Sequence, residues 1–248
     1  MNRTVVYTCI TGGFDALPEV RAVREGVDFI CFSDAALPEG SPWQYRKLAV
    51  DGLPPRLAAR YHKLNPHLLF PEYERSVWLD GNVGIASDEF YDIIDTPALF
   101  AGLEHPLRDD VYEEAYACLR GERETFCRLL RAVRFLRAEG FPPHSGLLET
   151  NVLLRQHNSP EVIRVDELWW DMVRTLSERD QLSIMYCLRE EGLRPELLLG
   201  SGLCARNHPS FIYTVHDKTP RRPLLRRKLH YFFQKFPRAA FRIFLALS

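Results

Sequence analysis

Three short apolar runs early in the chain each break off into a polar or glycine cluster, and this pattern constrains the fold most. Thr4–Ile10 (TVVYTCI) is rich in β-branched residues and stops at Thr11-Gly12-Gly13. Asp28–Ser33 (DFICFS) stops at Asp34, and Ser76–Leu79 (SVWL) stops at Asp80-Gly81-Asn82. Short apolar runs bounded by turn residues read as buried strands. Trp43–Val50, Val83–Ala86, Pro97–Leu103 and Leu147–Arg155 predict further strands. Between them, Arg56–Phe70 carries Leu57, Tyr61, Leu64 and Leu68 at helical spacing, with Pro66 splitting the helix because it removes a backbone donor. Helices are also predicted over Val111–Leu119, Glu122–Glu139 with Gly140 as its stop, Val162–Leu176 and Asp180–Glu191. Strands alternating with helices imply an α/β sandwich around a largely parallel sheet. Ligands of such sheets sit beyond the carboxyl ends of the strands, where the three polar clusters fall.

A chain of 248 residues can bury one large core, so one domain with an appendage is expected. No apolar run approaches the roughly 20 residues of a membrane helix. The apolar stretch in MNRTVVYTCITGG is too short for a secretory signal, so a cytoplasmic location is expected. The six cysteines are scattered without a C-x-x-C pair, which argues against zinc and a disulfide framework and for small buried hydrophobes. Charge is unevenly spread. Nine basic residues and no acid follow Asp217, leaving 23 basic against 33 acidic residues in 1–217. The expected division is therefore 1–217 as the α/β domain and 218–248 as a basic extension. Within 221–248, Leu225, Leu229, Phe232, Phe236, Ala240, Ile243 and Leu247 recur at helical spacing. That basic amphipathic pattern suits an anionic membrane surface, on its cytoplasmic face, or a helix packed on the body. Nucleic acid is not expected as a partner of an acidic body without a known module.

SVWLDGNVGI carries the sharpest chemistry. Side chains two positions apart on extended backbone point the same way, so Asp80 and Asn82 could face one cation or sugar while Gly81 admits a ligand close to the backbone. A hard divalent cation prefers oxygen ligands and would neutralise a leaving diphosphate. The competing reading is a strand-ending turn. Asp180, before a predicted helix, could cap it or act with Gln181 in a site. His105, Arg108, Asp109, Glu113 and Glu114 make a charged patch, and the adjacent Glu113 and Glu114 cannot share one helix face, so one of them meets solvent. Glu149 is an acid in an apolar strand and needs a cleft or a partner. Of Trp169 and Trp170, one could stack on a sugar, although core packing of both is the simpler expectation.

Taken in order, ITGGFD, WLDGN, YEEA, GLLETNVLLRQHN and RDQLS resemble a glycosyltransferase domain once catalogued only as a domain of unknown function. It occurs in plant mucilage- and pollen-related proteins and in bacterial relatives, and the resemblance spans roughly residues 4–190. More distantly the layout is similar to glycogenin-like, retaining GT-A glycosyltransferases. The resemblance implies a single GT-A (Rossmann-like) α/β domain with a mixed, mostly parallel sheet and a helical C-terminal extension. It implies a UDP-sugar donor, with Thr8, Thr11 and Gly12 along the nucleotide, Asp34 at the base or ribose, and Arg60, Lys63 and Lys218 near the phosphates. Asp80, Asn82 and His216 would hold manganese or magnesium, with Gly81 between the first two. Asn82 stands where relatives carry an acid, and an amide is the weaker cation ligand. His208 is a poorer match than His216. Asp180 would orient the sugar and Gln181 would lie near the anomeric carbon, which carries retention of configuration with it. His105, Arg108, Glu113, Glu149 and Trp170 are candidates for sugar or acceptor contact.

The expected activity is therefore sugar transfer to a glycan or polyprenyl-linked acceptor in surface-polysaccharide assembly. The rivals are a non-catalytic nucleotide- or glycan-binding module of the same fold and a membrane-surface protein acting through its tail.

Overall fold

The computed structural model describes residues 4–13, 15–215, 238–242 and 244–245. His216, Lys218 and most of the basic extension lie outside the described residues.

The β-branched run at the start becomes β1 (Thr4–Ile10), every residue of it buried. It pairs in parallel with β2 (Val27–Ser33), which pairs in parallel with β3 (Gln44–Lys47). α1 (Pro55–Leu64) and the single turn α2 (Pro66–Leu69) follow, divided at Asn65-Pro66 as the proline demands. β4 (Arg75–Leu79) joins the other side of β1, again in parallel. After β5 (Val83–Ile85), α3 (Glu89–Ile93), β6 (Phe100–Glu104), α4 (Val111–Arg120) and α5 (Phe126–Ala138), the chain returns through β7 (Leu148–Arg155). α6 (Pro160–Thr175), a 3₁₀ turn over Asp180–Leu182, α7 (Ile184–Glu190), β8 (Glu196–Leu197) and β9 (Phe211–Tyr213) complete the described elements.

The main sheet runs β3-β2-β1-β4-β7-β6-β8, a mixed and mostly parallel α/β sheet. β7 lies antiparallel between β4 and β6, while β8 is parallel to β6. β5 leaves the main sheet and pairs antiparallel with β9, a strand too short to be read from its sequence. Two apolar layers flank the sheet. One holds Tyr7, Leu64, Trp78 and Trp169 under α1, α4, α5 and α6. The other holds Val6, Val77, Phe90 and Phe211. Five cysteines are buried and Cys127 is exposed, all with free thiols.

Several expected boundaries move. The strand predicted over Trp43–Val50 keeps only Gln44–Lys47, because Trp43 turns inward and donates its indole N–H to the Pro18 carbonyl at 2.7 Å. The helix predicted from Glu122 begins at Phe126, where the Thr125 hydroxyl accepts from the Arg128 N–H as an N-cap. The helix expected from Asp180 begins at Ile184, and the Asp180 side chain caps nothing; it is drawn into an ion-pair cluster instead.

Among the described residues no helix is long and apolar enough to cross a membrane. The described end of the extension packs on the body. Phe241 is fully buried with its ring 5.9 Å from that of Phe126, and Arg137 donates to the Leu245 carbonyl at 2.8 Å.

Candidate active site

The carboxyl end of β4, β7 and the 3₁₀ turn meet the last turn of α1 around a single buried ammonium. Arg56, Arg60 and Lys63 stand at helical spacing on α1, so they share one side of it. Lys63 is fully buried, and its Nζ lies 2.6 Å from Asp180 Oδ2 and 3.2 Å from Asp80 Oδ1. It also donates to Thr150 Oγ1 at 3.1 Å, and that hydroxyl donates to Asp180 Oδ2 at 2.9 Å. Arg60 reaches the other Asp180 oxygen at 3.2 Å. Three distant segments, α1, the end of β4 and the 3₁₀ turn, are thus tied together through one cation.

The backbone of Lys63 is held as firmly as its side chain. Its carbonyl accepts from Tyr7 Oη at 3.0 Å and from Arg155 at 2.7 Å, and Arg155 is itself paired at 2.9 Å with Asp166, both fully buried. Trp169, rather than Trp170, belongs to this construction: its indole N–H donates to the Asp180 carbonyl at 2.9 Å. Trp170 packs edge-on against Tyr61, with ring centroids 5.5 Å apart.

Charge sets the protonation here. Burial alone would raise the Asp180 carboxyl, but Arg60, Lys63 and Arg179 outweigh it and hold the group far below the usual carboxylate range. Asp180 is therefore a permanent anion at neutral pH. Gln181 is pinned by two contacts, its Nε2 donating to the Leu148 carbonyl at 3.4 Å and its Oε1 accepting from Arg179 at 3.1 Å.

Asp80-Gly81-Asn82 forms a turn, closed by the Val83 N–H on the Asp80 carbonyl at 2.9 Å. The extended geometry that would point Asp80 and Asn82 the same way is therefore absent. Asp80 Oδ1 also accepts the Trp78 indole N–H at 2.7 Å, and Oδ2 has no hydrogen bond among the described residues. The side chain is 30% exposed, which makes it the solvent-facing member of the cluster. No three His, Cys, Asp or Glu side chains gather around a metal-sized point among the described residues. The oxygen donors available to a cation there are Asp80 Oδ2 and the Asn82 amide, which makes no side-chain hydrogen bond within the described residues.

At the other strand ends, the Gly12 N–H donates to the exposed Asp34 at 2.7 Å, and Thr11 Oγ1 donates to the Pro55 carbonyl at 3.1 Å. Thr8 is fully buried with an unpartnered hydroxyl, so it does not face a ligand on the surface. In the charged patch, Glu114 is the buried acid and Glu113 the solvated one. Glu114 accepts from Arg108 at 2.7 Å and lies 3.7 Å from His105, so the patch satisfies itself around the residue that was not the expected one. Glu149 is paired with Arg206, a partner on the loop before β9 that nothing local in the sequence signals.

The fold and this polar rim define a mixed, mostly parallel α/β domain with a buried ion-pair cluster at the end of β4. The family model "TOD1/MUCI70, glycosyltransferase-like domain" matches residues 51–196, which include Lys63, Asp80, Glu149 and Asp180. The chain belongs to that family. No curated protein matches the sequence significantly. Among solved structures, the chain is similar to the bifunctional glycosyltransferase WbbM (10% identity, TM-score 0.40, 71% of this chain and 37% of that one). It is also similar to the galactosyltransferase LgtC in complex with donor and acceptor sugar analogues (10%, 0.44, 77% and 72%) and to GlyE of Streptococcus pneumoniae TIGR4 (10%, 0.47, 97% and 62%). It spans little more than a third of WbbM.

Proposed function

We propose that this chain transfers a sugar from a UDP-sugar to a glycan or polyprenyl-linked acceptor in surface-polysaccharide assembly. The observation that carries the reading is the Asp80–Lys63–Asp180 cluster, which lies at the carboxyl ends of parallel strands and inside the segment matched by a glycosyltransferase-like family. A nucleoside would lie along Gly12 and Asp34. Its diphosphate would run along the Arg60 side of α1 toward Asp80. Negative charge grows on the diphosphate as its bond to the sugar breaks, and cations fixed beforehand stabilise that state without having to reorganise. Lys63 and Thr150 act by holding the two carboxylates, Asp80 facing the donor and Asp180 behind it.

A divalent cation, manganese or magnesium, belongs to the same proposal. Asp80 Oδ2 and Asn82 would hold it, and when bound it would supply further charge neutralisation at the diphosphate. His216 and Lys218, the other expected phosphate-side residues, lie outside the described residues.

UDP release from a panel of UDP-sugars, with and without manganese, tests the reading. Release that disappears in Asp80→Ala supports it. Nucleotide binding without release supports instead a non-catalytic module, which the complete burial of Lys63 and the amide at position 82 favour. For 221–248 the proposal is contact with an anionic membrane surface. Phe241 is already committed to the core and cannot serve it, and liposome flotation with and without 221–248 decides.

A further inference from the structure

Lys63 is enclosed by its two carboxylates and meets no solvent, and the Arg60 side chain, mostly covered, is paired with Asp180. The open member of this cluster is Asp80, an anion. A diphosphate brought to it is repelled unless a cation stands close by. Arg206 supplies one. Its guanidinium is 45% exposed, and it sits on a loop beyond the segment 51–196 that the family model matches. That loop is braced. Glu104, at the end of β6, accepts from the Ser201 hydroxyl at 2.8 Å and from the Gly202 N–H at 3.3 Å. The Asn207 side chain ties the loop across, accepting from the Cys204 N–H at 2.8 Å and donating to the Gly202 carbonyl at 3.0 Å. Two supports then fix the guanidinium, and both lead back to the Asp80–Asn82 turn. The first is Glu149, its ion-pair partner. Glu149 is hydrogen-bonded to Asn151, whose carbonyl accepts the Asp80 N–H at 2.9 Å. The second is Tyr213, with the guanidinium 4.8 Å from its ring centre. Tyr213 pairs with Val83 across β5 and β9, and the next N–H, of Thr214, donates to the Asn82 carbonyl at 2.9 Å.

We propose that Arg206 binds the diphosphate of the nucleotide donor and neutralises enough of its charge that a divalent cation adds to donor binding without being required for it. The inference rests on the nucleotide-sugar reading above and assigns a residue of that site. A guanidinium holds its N–H donors in a rigid fork that matches phosphate oxygens in pairs, and it keeps its charge at any working pH. Glu149 and Tyr213 hold the group in place and still leave nearly half of it open. A cation at the turn would find one unbonded carboxylate oxygen and an amide, a weak pair of ligands. Arg206 is in position before any ligand arrives, so little ordering is left to be done on binding.

Calorimetric titration of the full-length protein with UDP and with uridine, both in EDTA, tests this with only the chain to meet the phosphates. Wild type should bind UDP more tightly than uridine. Arg206→Ala should weaken UDP about 30-fold, the worth of hydrogen bonds to a charged group, and leave uridine as it was. A merely structural ion pair predicts that UDP and uridine weaken together. Arg206→Lys keeps the charge and loses the fork, so its UDP affinity should fall between those of wild type and Arg206→Ala. If Arg206→Ala does not fold, Arg206→Lys decides, binding UDP less tightly than wild type and uridine equally. UDP binding that appears only when manganese is added overturns the proposal, as does an Arg206→Ala protein that binds UDP like wild type. Protein that binds UDP through Arg206 but releases none from UDP-sugars sinks sugar transfer and leaves this inference standing. Binding of neither UDP nor uridine sinks both.

Discussion

Lys63 Nζ lies 2.6 Å from Asp180 Oδ2, with the lysine fully buried and the aspartate side chain 2% exposed. The same ammonium reaches Asp80 at 3.2 Å, but that side chain is 30% exposed. The two contacts should differ in worth, since breaking a buried pair strands a charge while water screens an exposed one. Lys63→Met should cost about 3 kcal/mol, and Asp80→Asn about 1 kcal/mol or less, both read from urea unfolding. Equal losses would mean that the cluster is wetter than its burial indicates.

Two buried carboxylates should shape stability against pH in opposite senses. Asp180 is held below its unfolded value, so its contribution is complete above about pH 4 and fades as pH falls further. The stability gap between wild type and Asp180→Asn should narrow on acidification below about pH 4. Asp166 is pushed up to about 6 by burial, against the pull of Arg155. The folded state then binds the extra proton between its unfolded value and about 6, so stability falls as pH rises through that window. Relative to Asp166→Asn, the wild type should gain stability on going from pH 6 to about pH 4. Unfolding midpoints across pH 3 to 7 (about half-unit steps) check both signs.

Much of this arrangement was legible in the chain because it rests on local signals. The β-branched run at Thr4–Ile10 and the apolar run before Asp80 became neighbouring parallel strands, and Pro66 divided the helix that carries Lys63. What escaped depends on distant pairing. The apolar residues of Leu148–Arg155 read identically in either direction, so nothing in them announces that β7 runs antiparallel between β4 and β6. Arg206 lies 57 positions from Glu149 and shares no local pattern with it. Trp169 and Trp170 are equivalent by letter, and only the helical phase of α6 decides which indole meets Asp180. Asp80-Gly81-Asn82 carried both a turn and a ligand pair in its sequence; the backbone is a turn, and its carboxylate still meets Lys63.

Gly81 sits within the Asp80–Asn82 turn and Gly84 in β5 just after it, and the two should respond differently to a methyl group. A Cβ at Gly84 would come within 2.4 Å of the Glu19 carbonyl oxygen, a backbone atom that also accepts the Ile85 N–H. At Gly81 the nearest atoms are the tip of the Ile10 side chain at 2.6 Å and an Asp15 carboxylate oxygen at 2.9 Å, both of which can rotate aside. Gly84→Ala should therefore cost about 2 kcal/mol or more, within the range for overpacked interiors, and Gly81→Ala clearly less. Thermal melts of the two variants give the order, and the reverse order would place the rigid contact at the wrong glycine.

Phe241 anchors the described end of the basic extension. It is fully buried against Phe126, and around it Arg238 donates to the Arg120 carbonyl at 3.1 Å while Arg137 donates to that of Leu245 at 2.8 Å. The guanidinium contacts are to carbonyls near the surface and contribute little, so the ring should dominate. Phe241→Ala should cost about 3 kcal/mol, whereas Arg242→Ala, whose exposed guanidinium stands over the Tyr116 ring, should stay within about 0.5 kcal/mol. Removal of 238–248 should match or exceed the Phe241→Ala loss, because it bares the same apolar surface on α4 and α5. Urea unfolding of the three variants measures the ranking, and a Phe241→Ala protein as stable as wild type would detach the extension from the core.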